Sequence, residues 1–132
     1  ANAENLKLEE IEKRIQQYNP KIICFVVYGQ NVNAGTTNMS GAVHVSNFLK
    51  KRNSNIIISF IGSHVQALPI ETLKNEPSID FVFTNEGVYA LRSILKLTKF
   101  DEENLKEFMK KWNLTDMQSI GSYQYFFWRR LL

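Results

Sequence analysis

Apolar positions along this chain alternate between two periods. Leu8, Ile11, Ile15 and Tyr18 recur at helical spacing behind an acidic first turn, with Pro20 as a stop, and predict an amphipathic helix. Ile22-Ile23-Cys24-Phe25-Val26-Val27-Tyr28 follows as a continuous apolar, β-branched run without alternation, the signature of a strand buried on both faces. Gly29 to Asn38 is polar and contains two glycines, and it reads as a loop longer than a simple connection needs. From about Ser40 to Arg52, Val43, Phe48 and Leu49 support a second helix, which Asn53-Ser54-Asn55 breaks.

Ile56-Ile57-Ile58-Ser59-Phe60-Ile61 repeats the buried-strand pattern and runs into Gly62-Ser63-His64. A loop to Pro69, a short helix over Ile70 to Asn75 and a third strand, Phe81-Val82-Phe83-Thr84, come next. Asn85-Glu86-Gly87 closes that strand. Val88, Leu91, Ile94 and Leu95 fit one further helix, and Leu105, Phe108, Met109 and Trp112 another. The aromatic tail, Tyr123 to Trp128, suits either a strand or a covering segment.

Strands alternating with helices imply right-handed βαβ crossovers and an open, doubly wound, mostly parallel α/β sheet. Ligands in such folds bind beyond the carboxyl ends of the strands. The loops Gly29 to Asn38, Gly62 to Pro69 and Asn85 to Gly87 fall there.

The chain has 132 residues, 44% hydrophobic and 22% charged, values of a single globular domain over residues 1–132 without repeats or linkers. No apolar run reaches the length of a membrane span. The lone cysteine, Cys24, excludes an internal disulfide and an iron–sulfur cluster held by this chain alone, and it points to a reducing, cytoplasmic setting. A net charge of +3 comes from scattered Lys and Arg in short clusters, which read as solvated helix faces rather than a nucleic-acid surface.

Catalytic equipment is absent from the pattern. Neither His44 nor His64 has metal-type spacing, Cys24 sits in a run that would bury it and raise its pKa, and no nucleophile elbow or phosphate-binding glycine motif occurs. His44 reads as a helix-face residue. His64, directly after a strand, is either a ligand contact or a structural residue. Gln30, Asn31, Asn33, Thr36, Thr37 and Asn38 offer neutral donors and acceptors, with Gly29, Gly35 and Gly62 allowing close approach. They suit a large, polar, amide- or phosphate-rich ligand, or they are turn formers.

The stretch Ile58 to Leu73, with Gly62-Ser63-His64 and Leu68-Pro69-Ile70-Glu71, followed by Ile79-Asp80-Phe81-Val82 and Asn85-Glu86-Gly87, resembles the cobalamin-binding domain of cobalamin-dependent radical S-adenosylmethionine enzymes. Leu8-Glu9-Glu10-Ile11 and Asn19-Pro20-Lys21-Ile22-Ile23 are similar to that family's opening helix and first steps into the sheet. The resemblance spans about residues 1 to 97. Asn85-Glu86-Gly87-Val88 stands where the family has Gly-Glu-Gly-Glu, Gly62-Ser63-His64 where it has Gly-Gly-Pro-His, and the cobalt-ligating Asp-x-His-x-x-Gly motif is absent.

The resemblance implies a flavodoxin-like, Rossmann-like module lacking the family's first strand, which binds cobalamin and through it a metal ion, cobalt. Tyr28, Gly29, Gln30, Asn31, Thr36 and Thr37 would line the nucleotide-tail side, Gly62, Ser63 and His64 the corrin side, and Glu86 and Gly87 the rim. Methyl transfer or related radical chemistry would be run by a radical S-adenosylmethionine domain in cis or in trans, since its CxxxCxxC motif is missing. An exposed sheet edge would favour self-association or pairing with that domain. The rival reading keeps the fold as a cofactor-less interaction or regulatory domain. A third reading is a binder of another nucleotide or a flavin.

Overall fold

The computed structural model describes residues 6–29, 32–84, 91–92, 94–96, 103–104 and 126–128. Helix α1 (Leu8–Tyr18) leads into β1 (Ile23–Val27), α2 (Val32–Arg52), β2 (Ile58–Gly62), α3 (Ser63–Ala67), α4 (Pro69–Asn75), β3 (Phe81–Phe83) and β4 (Phe126–Trp128). The sheet order is β1-β2-β3-β4, with the first three strands parallel and β4 antiparallel to β3. The α/β class read from the sequence is the one observed. Of the aromatic tail, open between two readings, Phe126–Trp128 forms a strand, and Tyr123 to Tyr125 lie outside the described residues.

Side-chain parity divides the sheet into two faces. Ile23, Phe25 and Val27 of β1, Ile58 and Phe60 of β2, and Val82 of β3 share one face, where Met39 and Leu49 of α2, Val65 of α3 and Leu73 of α4 close the core over them. Phe25 and Phe60, paired across the strands, stack at 4.9 Å. Right-handed crossovers running β1 to β2 to β3 put α2, α3 and α4 on this one face. The other face carries buried Ser59, Ile61, Phe81 and Phe83 over β2 and β3, and opens at β1.

That opening corrects the expectation for β1. Val26 is 67% exposed and Tyr28 56%, because β1 is an edge strand among the described residues rather than an inner one. Composition registers how apolar a strand is, not which place it takes in the sheet order.

Two connections also differ from expectation. Helix α2 begins at Val32, so Thr36 and Thr37 lie in its first turns rather than in a loop. The Asn38 amide, a turn former by composition, donates from within the helix to the Tyr28 carbonyl at 3.0 Å and fastens the end of β1. The supposed loop after Gly62 contains α3, whose buried Val65 joins the core. Five residues are too few to show a helical period.

Helix α1 ends as predicted, with Asn19 in the left-handed conformation (φ 42°) before Pro20. It lies beside α2, where Glu12 pairs with Arg52 at 3.3 Å and Ile15 packs against the core. Among the described residues no helix is long and apolar enough to cross a membrane.

Candidate functional site

The carboxyl ends of β1 and β2 lie side by side, since Val27 pairs with Gly62. Tyr28 and Gly29 therefore leave the sheet next to Ser63 and His64, which open α3. Tyr28, Thr37 and Ser63 are exposed and His64 is half-buried. Gln30, Asn31, Glu86 and Gly87 lie outside the described residues, as do the side chain of Thr36 and the helix expected around Leu105 to Trp112.

Gly62 has a structural task of its own. Its φ of 153° is one that side-chain-bearing residues rarely adopt, and a Cβ there would fall 1.9 Å from the Val27 carbonyl oxygen. The close approach that this glycine permits is to the neighbouring strand. Substituting it would disturb the β1–β2 pairing before it reported on a ligand.

Beside His64 a cleft of ≈ 460 Å³ runs between α2 and the α3–α4 segment. Met39 and Val43 give it an apolar lining; Ser40, His44 and Asn47 line it from α2, His64 from α3 and Glu76 from the end of α4. The structure thus brings the two histidines, 20 positions apart, to one cleft. The sequence pattern places His44 on a helix face and does not mark out Ser40, Asn47 or Glu76. Ser40, His44 and Asn47 follow i, i+4, i+7 spacing, a signal usable once α2 is known to pass through them. Glu76 carries no such signal.

Cys24 lies on the opposite face of the sheet from the α2–α4 layer. Burial pushes its thiol above the ordinary value of 9.0, and a hydrogen bond with Ser59 opposes part of that shift. A thiol so placed is a poor nucleophile. Among the described residues no group of three His, Cys, Asp or Glu side chains is placed to hold a metal ion.

This end of the sheet presents hydrogen-bonding groups to solvent. Its donors and acceptors are hydroxyls, an imidazole and backbone, presented by the ends of two strands and the starts of two helices.

No protein-family profile matches the chain. It is similar to an uncharacterized methyltransferase of Pyrococcus horikoshii, with 29% identity over 93 residues. The match covers 70% of this chain and 19% of that protein, so the chain spans about a fifth of the relative's length.

Proposed function

We propose that this chain is the cobalamin-holding module of a methyl-transferring enzyme, working with a radical S-adenosylmethionine domain carried elsewhere. The observation that carries the proposal is the position of Ser63 and His64 at the carboxyl end of inner parallel strand β2, next to Tyr28 and Gly29 of β1. The similarity to a methyltransferase five times the length of the match supports a module that serves methyl transfer rather than performing it alone.

The residues present fit such a cofactor in kind. Cobalamin has an amide-rich periphery, and exposed Tyr28, Thr37 and Ser63 with half-buried His64 supply neutral donors and acceptors at one end of the sheet. Tyr28 and Thr37 would hold the nucleotide-tail side, and Ser63 and His64 the corrin side. When bound, cobalt supplies a site that can carry a methyl group. The chain's own part is to bind and orient: Gly62 keeps β1 and β2 in close register, and α3 fixes the direction of His64 by burying Val65 one residue on.

The test is a visible-absorption titration with hydroxocobalamin and methylcobalamin, followed by desalting. Colour retained with a shifted spectrum, and lost in the Ser63→Ala/His64→Ala double variant with its circular dichroism intact, is the expected result. Folded but colourless wild-type protein overturns the proposal and favours the interaction or regulatory domain, for which exposed Val26 and Tyr28 offer a surface.

A further inference from the structure

The cleft between α2 and the α3–α4 segment is a second place where chemistry gathers, and its residues narrow what would fill it. Among the described residues the side chains of Ser40, His44, Asn47 and His64 make no hydrogen bond within the protein. Four polar side chains thus line one space without a hydrogen-bond partner in the protein, Ser40, His44 and Asn47 exposed and His64 half-buried. No Lys or Arg lines it, so nothing there selects a phosphate or carboxylate. The His and Glu side chains do not converge as metal ligands. Apolar Met39 and Val43 alternate with amide, hydroxyl and imidazole groups, with the Glu76 carboxylate at one end, a lining that suits neither a lipid chain nor an anion.

We infer that this cleft binds a small, uncharged, flat heterocycle of the nucleobase or nucleoside class. Such a ring presents donors and acceptors along its edge and an apolar face above and below. The Asn47 carboxamide can meet an adjacent donor–acceptor pair on that edge, as asparagine does with adenine. An imidazole from His44 or His64 can stack on the ring, while Met39 and Val43 supply apolar contact. The ≈ 460 Å³ volume lies within the range of small-molecule sites. The inference goes beyond the cobalamin proposal, because Ser40, His44 and Asn47 belong to no part of that site; His64 is common to both.

The experiment is a titration of isotope-labelled protein with adenosine, uridine, adenosine monophosphate and inorganic phosphate, following the imidazole resonances of His44 and His64. Saturable shifts of both rings with adenosine are expected, with no tighter binding of the monophosphate. Asn47→Ala should weaken adenosine by about tenfold. His44→Ala should weaken it as well; both residues are exposed and without protein partners, so the fold is untouched. Shifts produced only by the phosphate-bearing ligands, equal binding by Asn47→Ala, or no saturable shift with either nucleoside overturns the inference. Failure here leaves the cobalamin titration unaffected, and failure of that titration leaves this one standing.

Discussion

Lys50 and Asp80 meet at 2.7 Å between Nζ and Oδ2, joining the last turn of α2 to the entry of β3. The same carboxylate oxygen accepts the Ile58 N–H at 2.8 Å, and the Asp80 N–H donates to the Ile58 carbonyl at 2.8 Å. One side chain thereby fixes where β2 and β3 begin relative to each other and to α2. Asp80→Ala should lower stability by about 2 kcal/mol, since it strands the Ile58 backbone donor and takes the counter-charge from a mostly screened ammonium that keeps only the Ile56 carbonyl as acceptor. Lys50→Met should cost less, because the Ile58 bond survives. Urea denaturation of the two variants at neutral pH orders them.

Two glycines make an opposed pair. Gly62→Ala forces a Cβ against the Val27 carbonyl at a positive φ and should cost about 3 kcal/mol or more. Gly41, inside α2, has open space where its Cβ would stand, and Gly41→Ala should add about 0.5–1 kcal/mol by removing flexibility from the unfolded chain. Thermal melts of the two variants should therefore move in opposite directions. Equal shifts would refute the close approach of β1 and β2.

Ser46 and Ser78 share a buried hydrogen bond of 2.7 Å between α2 and the turn before β3. Ser46 also donates to the Val43 carbonyl at 3.0 Å, which makes Ser78 the donor between the two hydroxyls. Ser46→Ala leaves the Ser78 hydroxyl buried without its acceptor and should cost about 1–2 kcal/mol. The double alanine variant should be less destabilised than the sum of the singles, a coupling that a double-mutant cycle reads directly.

Cys24 predicts an alkaline weakness. Its thiol is held above 9.0 in the folded protein by burial, so the folded state keeps its proton more tightly than the unfolded chain does. The stability this contributes is complete below the ordinary thiol value and is lost as pH rises through the raised one. Cys24→Ala should flatten that part of the stability–pH curve relative to wild type. Iodoacetamide should alkylate the native protein more slowly than the urea-unfolded one at the same pH.

Much of this architecture was legible in the sequence because its strands are apolar without interruption and its longer helices carry a clear period. β2, β3, α1 and α4 fall where the pattern puts them. The start of α2 was hidden by Asn33, Gly35 and Asn38, which resemble a turn until one sees Asn38 spending its amide on the Tyr28 carbonyl. The exposure of Val26 was hidden because strand order is set by long-range pairing, which leaves no local trace. Of the candidate site, Ser63 and His64 could be found from their place after a strand. The cleft could not, since Glu76 reaches it from a different segment than Ser40, His44 and Asn47.

Among the described residues β1 lies at a sheet edge, and that position writes an alternating label into its backbone. The Ile23 N–H is bound to the Ile57 carbonyl, and the parallel register turns the amides of Phe25 and Val27 the same way, toward β2. The amides of Cys24 and Val26 point outward. In deuterated water the odd-numbered amides of β1 should hold their protons through many openings of the rest of the molecule, while the even-numbered ones exchange at the pace of solvent. Whatever adds a strand to this edge would erase that parity, residue by residue, and so announce itself without a label.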